Sequence, residues 1–208
     1  IIEYLIDNGV PLHGIGVQGH FSWTFPSMTE IVTTLDRFAT FGLPLAVTEL
    51  DISVQDETFQ AEYMRDLLTV LFSHPALTQV VLWGFWEGRH WRPDAALFRD
   101  DWSIKPIGIV WNDLIFDQWW TRVAEVSGPD GKLTTRGFLG DYAIDVSAGN
   151  CRAYGEFTLE RSGQRIDVYL GGTPTPDLGV APPLEGPESR YTYGTTSYTY
   201  GEDADDHN

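Results

Sequence analysis

Cationic side chains are scarce. Only 13 Lys plus Arg face 30 Asp plus Glu among the 208 residues, a formal net charge of −17. That balance cannot assemble the basic groove that nucleic-acid phosphates require. It is equally unsuited to an anionic membrane surface. Cysteine occurs once, as Cys151, which excludes an internal disulfide framework and a cysteine zinc site. No apolar run is long enough to span a bilayer. The five histidines show no metal-ligand spacing, H-E-x-x-H is absent, and so is the G-x-S-x-G elbow of serine hydrolases. An initiating Met is missing too: the chain opens Ile1-Ile2-Glu3-Tyr4-Leu5-Ile6, inside a helical pattern. We read this as a truncated start, with any export signal upstream of it. A neutral polymeric ligand remains compatible with the charge.

Hydrophobic residues are plentiful at 42%, enough for a real core. Residues 1–8 read as a helix end closed by Asn8-Gly9, and Gly14 to His20 as one short buried strand. Ser27-Met28-Thr29-Glu30 fits a capping box, and Ile31, Val32, Leu35, Phe38 and Ala39 continue at helical spacing up to Gly42. Leu45 to Ile52 is a mostly apolar strand ending in acids. Phe59, Tyr63, Leu67 and Leu71 form one stripe of a helix over 59–72, ended by His74-Pro75. A third strand covers 80–84, and a long loop leads to a helix from Pro106 to about Trp119.

Strands alternating with helices imply a parallel sheet, and apolar strands imply burial on both faces. Three such units in about 120 residues amount to roughly half of an eightfold barrel, which takes ~250 residues. The expected class is therefore α/β: a partial (β/α)8 barrel over 1–120, followed by a small antiparallel β module over 121–170 and a disordered acidic tail over 171–208. Turn signals bound the module. Within it Tyr142, Ile144 and Val146 share one face, as do Ile166, Val168 and Leu170. The tail is rich in Pro, Gly, Thr and Tyr and ends Glu202-Asp203-Ala204-Asp205-Asp206.

In such a barrel the chemistry lies at the C-terminal strand ends. Glu49 and Asp51 are two residues apart and project from one face of their strand, as do Gln18 and His20 on the strand before. The third strand ends Trp83-Gly84-Phe85-Trp86-Glu87. Taken singly, each has a plain explanation: a solvated Glu, a hydrogen-bonded core His, a packing Trp. Their joint placement is what points to a site. Gly14-Ile15-Gly16-Val17-Gln18-Gly19 also matches G-x-G-x-x-G, with Asp36 near the acidic offset. A dinucleotide site needs those glycines to open a helix, whereas here they lie in a strand and Asp36 lies mid-helix.

Gly14 to His20, Leu45-Ala46-Val47-Thr48-Glu49-Leu50-Asp51-Ile52 and Trp83 to Arg92 together resemble glycoside hydrolase family 10, the endo-β-1,4-xylanases. The resemblance covers about residues 1–120, equivalent to the last three barrel strands. It implies Glu49 as the nucleophile, His20 hydrogen-bonded to Glu49, and Asp51 holding His20. It implies Gln18, Trp83 and Trp91 against the sugar, with Arg92 and His90 supporting the loop. It implies no cofactor and no metal. The partner would be xylan or a related plant cell-wall polysaccharide, met outside the cell as a secreted protein. The family draws its acid/base from an Asn-Glu motif, and no Asn-Glu dipeptide occurs here. A retaining glycosidase needs two carboxyls, so the expectation is a chain inactive by itself. Alternative readings are a non-catalytic carbohydrate binder and a barrel glycosidase acting on another β-glucan.

Overall fold

The computed structural model describes residues 1–160 and 163–170. These divide into two compact units, one over Ile1–Gln118 and one beginning at Trp119. The first unit runs α1 (Ile2–Asp7), β1 (Ile15–Val17), β2 (His20–Phe21), α2 (Met28–Ala39), β3 (Leu45–Ile52), α3 (Glu57–Ser73), β4 (Leu77–Leu82) and α4 (Pro106–Asp113). A single π-helical stretch, Leu114–Gln118, extends α4.

The named strands of this unit pair in parallel, and β3 is at their centre. β1 pairs with the first half of β3 and β2 with its end, so the two are pieces of one stave, while β4 lies along the other side. The single strand expected over 14–20 is thus split. Gly19 has a φ of +83°, and a Cβ there would come within 2.7 Å of the Val47 side chain. Only glycine fits this backbone and this approach. The third strand also begins earlier than expected, at Leu77.

Local chemistry explains the helices. Ser27 and Glu30 form the reciprocal capping box that starts α2. Asp56 accepts the backbone N–H groups of Thr58 and Phe59 at the start of α3, which begins two residues earlier than periodicity alone indicates. Ala61, Met64, Leu67, Leu68 and Leu71 form its buried stripe. Pro106 opens α4, which buries Ile107 and Val110. Leu45, Leu50 and Ile52 of β3 are fully buried, as expected of a strand covered on both faces.

In the second unit β5 (Gly140–Ala148) and β6 (Cys151–Leu159) form an antiparallel hairpin through the two-residue connection Gly149-Asn150. Tyr142 stacks on Phe157 across the pair, with ring centroids 5.3 Å apart. On the opposite face Arg152 Nε donates to Asp145 Oδ1 at 2.8 Å. The alternation of Ile166, Val168 and Leu170 does not yield a strand: residues 163–170 are irregular, and among the described residues β5 and β6 pair only with each other. Alternation without a ladder partner is not enough. The tail over 171–208 lies outside the described residues.

Candidate active site

Three strand ends meet at Glu49. His20 opens β2, immediately after the Gly19 break, and pairs in register with Asp51 of β3. The backbone N–H of Glu49 donates to Gln18 O at 2.9 Å, and that of Asp51 to Gly19 O at 3.2 Å. These ladder bonds set the two strands at the depth where their side chains meet. His20 Nε2 lies 3.1 Å from Glu49 Oε2, in hydrogen-bond geometry. On the other side of the ring, His20 Nδ1 lies 3.0 Å from Asp51 Oδ1. That second approach misses hydrogen-bond direction, and both atoms are buried without another partner. It is a close polar approach that leaves the imidazole between two carboxylates.

The two carboxylates differ in kind. The Glu49 side chain keeps 24% of its surface exposed, open enough to receive a ligand, whereas that of Asp51 keeps 1%. Asp51 is committed further by Trp91, whose indole N–H donates to its Oδ2 at 2.6 Å.

Indoles wall the imidazole. Trp83, just past β4, meets the His20 ring edge-on at 6.0 Å, and Trp91 does so at 5.1 Å. Both indoles are about half exposed, so they offer apolar surface to whatever approaches Glu49. The Arg92 guanidinium sits 4.6 Å from the Trp91 ring centre, a cation–π contact that steadies the indole. His90 is buried, and its Nδ1 accepts the Arg92 N–H at 3.1 Å. Burial lowers its pKa, outweighing the opposing pull of Asp51. The structure therefore brings Glu49, His20, Asp51, Trp83 and Trp91 together. Arg92 touches this group through Trp91. Gln18 serves it through its carbonyl, and its side chain is exposed.

Sequence reasoning missed the support behind the site. Ser53 Oγ donates to Asp94 Oδ2 at 2.8 Å. Gln60 of α3 donates to Ile52 O at 2.6 Å and Asp94 O at 2.8 Å, and Lys105 Nζ donates to Asp94 O at 2.6 Å. Gln60 and Lys105 are both buried, and burial lowers the Lys105 pKa. These bonds tie the end of β3 to the short 3-10 turn Pro93–Ala95, just past Trp91 and Arg92. Gln60 interrupts the apolar stripe of α3, and that interruption was the available signal.

Parallel strands joined by helices, with a carboxylate at a central strand end, define part of a (β/α) barrel. The chain belongs to glycosyl hydrolase family 10, whose family model matches residues 1–112. Among curated proteins it is 34% identical to anti-sigma-I factor RsgI6 of Acetivibrio thermocellus over 148 residues, covering 71% of this chain and 19% of that protein. It is 31% identical to endo-1,4-beta-xylanase 2 of Arabidopsis thaliana over 170 residues, covering 82% of this chain and 16% of that protein. These matches extend past residue 112, and the xylanase match takes in the β5–β6 hairpin. Among solved structures, xylanase 10B of Thermotoga petrophila in complex with xylobiose superimposes with a TM-score of 0.51 at 27% identity, covering 56% of this chain and 40% of that one. The chain thus spans under a fifth of the first curated relatives and two fifths of that xylanase.

Proposed function

We propose that this chain carries the nucleophile half of a retaining endo-β-1,4-xylanase site, with Glu49 as nucleophile. The single observation that carries this reading is the imidazole of His20 held between Glu49 and Asp51. A nucleophilic carboxylate must stay ionised, and a donor hydrogen bond to it favours that form. Attack of Glu49 on the anomeric carbon forms a glycosyl-enzyme ester, and the glycosidic oxygen leaves with a proton from an acid. Water then reverses the process, with that acid acting as base. Trp83 and Trp91 supply faces for the sugar C–H groups, and Gln18 lies beside the nucleophile.

The acid is a second carboxyl about 5–5.5 Å from the first. Asp51 is unsuited to that role, because it is buried and engaged by His20 and Trp91. Glu87 Oε2 accepts the Asp100 N–H at 3.1 Å and is held in the loop. Neither of these two carboxyls among the described residues suits the acid, so on this reading turnover draws it from elsewhere and the chain alone is inactive. Polymeric xylan is too large to enter a cell intact, which places the action outside the cell. No described helix is long and apolar enough to cross a membrane.

The test uses the complete gene product and a 2-deoxy-2-fluoroxylobioside with a dinitrophenyl leaving group, which needs no acid to depart. The label is expected on the peptide carrying Glu49, and Glu49→Ala is expected to abolish both labelling and release of reducing sugar from arabinoxylan. A label on another carboxylate, or a Glu49→Ala variant of near-normal activity, overturns the reading. Binding without any turnover in the complete protein would instead favour the non-catalytic carbohydrate binder.

A further inference from the structure

The loop between β4 and α4 holds a second aromatic feature, made of residues that contact none of Glu49, His20 and Asp51 in the bonds described above. Trp102 has a φ of +67°, and it is the one non-glycine residue with positive φ among the described residues. Bulky side chains seldom occupy that region. The turn that imposes it is well bonded. Trp102 N–H donates to Arg99 O at 2.9 Å, Arg99 N–H to Ser103 O at 2.8 Å, and Ser103 N–H to Asp101 Oδ1 at 2.9 Å. Glycine or asparagine would suit such a turn with less strain.

Instead the position carries an indole, and the residue is 59% exposed. The ring lies flat on Trp86, with centroids 5.1 Å apart and planes 9° from parallel. Phe85 and Phe98 tilt against it at 6.4 and 6.3 Å. Trp86 is itself fixed, its Nε1–H donating to Asp100 O at 3.2 Å, and it lies so close to Gly88 that a Cβ there would come within 2.4 Å of the ring. One face of the Trp102 indole is thus backed by a rigid stack and the other is open. Packing alone does not account for a strained backbone that leaves most of its side chain in water. Strain maintained by a well-bonded turn points to use of the presented group.

We propose that the Trp102–Trp86 stack, edged by Phe85, is a surface platform for a neutral β-linked polysaccharide chain, distinct from the Glu49 cleft. The choice of polysaccharide rests on the glycosidase reading above. The open indole face suits the C–H face of a pyranose, and the exposed carboxylates of Asp100 and Asp101 are acceptors for its hydroxyls. The same carboxylates disfavour an anionic polymer. Phe85 and Trp86 follow directly on Trp83-Gly84, so a chain held here stays on the loop that walls the cleft.

The test is native electrophoresis of the full 208-residue chain through gels containing soluble arabinoxylan, with Trp102→Gly, Glu49→Ala and Trp83→Ala variants. Trp102→Gly relieves the positive φ, so a melting temperature at or above that of the parent verifies its fold. The parent and Glu49→Ala are expected to be retarded alike. Trp102→Gly is expected to lose roughly threefold or more in apparent affinity, the scale of one ring contact. Equal retardation of Trp102→Gly overturns the platform, as does a parent that is not retarded. Loss confined to Trp83→Ala assigns the binding to the cleft and overturns it as well. A changed association state of Trp102→Gly in sedimentation makes the indole a protein contact and likewise overturns the platform. Labelling away from Glu49 would sink the catalytic reading without altering any of these gel results.

Discussion

Trp91 and Asp51 are joined by a 2.6 Å hydrogen bond, from the indole N–H to a carboxylate that is almost wholly buried. A half-exposed loop residue is thereby anchored to the carboxylate that faces His20. Trp91→Phe keeps an aromatic ring but leaves Asp51 Oδ2 without its donor. A buried polar atom deprived of its partner costs about 1–3 kcal/mol. Urea unfolding should show a loss of that size. Oligosaccharide binding should weaken too, because the loop loses its tether.

His20→Phe keeps a ring between Trp83 and Trp91 but removes both nitrogens. A hydrogen bond to a charged group contributes about 1.5–3 kcal/mol, which corresponds to roughly ten- to a hundredfold in rate. On the proposed reading, we expect a drop of that order in kcat on arabinoxylan for the complete gene product, with KM nearly unchanged. An effect confined to KM would place His20 in substrate binding instead.

Gly84→Ala introduces a methyl group 2.5 Å from His90 Cδ2. The imidazole cannot easily yield, because its Nδ1 holds the Arg92 N–H. Overpacking of this kind costs about 1–3 kcal/mol. Thermal unfolding should register it, and the Trp91–Arg92 contact should loosen, visible as a shift in tryptophan fluorescence. A neutral result would show that the loop gives way freely.

His90 predicts an acid-sensitive stability. Its folded pKa lies below the ordinary 6.5 because burial opposes the charged ring. The unfolded state therefore binds more protons as pH falls below about 6.5, and stability declines from there towards the folded pKa. Above about 6.5 the contribution is complete. His90→Asn retains an acceptor for the Arg92 N–H without an ionisable ring. Melting curves at pH 5 to 8 should show a shallower acid limb for the variant than for the parent. Parallel limbs would mean His90 does not titrate within that range.

Much of the first unit was legible because its signals are local. The capping box at Ser27 and the apolar run of β3 each appear where the residue pattern puts them. Glu49 and Asp51 were legible as neighbours because period-two spacing places alternate residues on one face, while their pairing with His20 came from the family resemblance. What stayed hidden depends on tertiary pairing. The break at Gly19 arises from the approach of Val47, a residue 28 positions away. The Gln60–Asp94–Lys105 bonds join α3, a loop turn and the start of α4, and no spacing rule links those segments. Trp102 reads in sequence as one more aromatic, and only its backbone angle distinguishes it.

β3 has a parallel neighbour on each side, and the amide of Leu45 is bonded on one side while those of Glu49 and Asp51 are bonded on the other. Ladder amides of this kind exchange with deuterium only when a large part of a unit opens. Glu49 thus belongs to the segment whose protons should be the last to leave. A motion confined to the loops around the cleft would leave that carboxylate in position, so ligand entry need not disturb the strand that carries it.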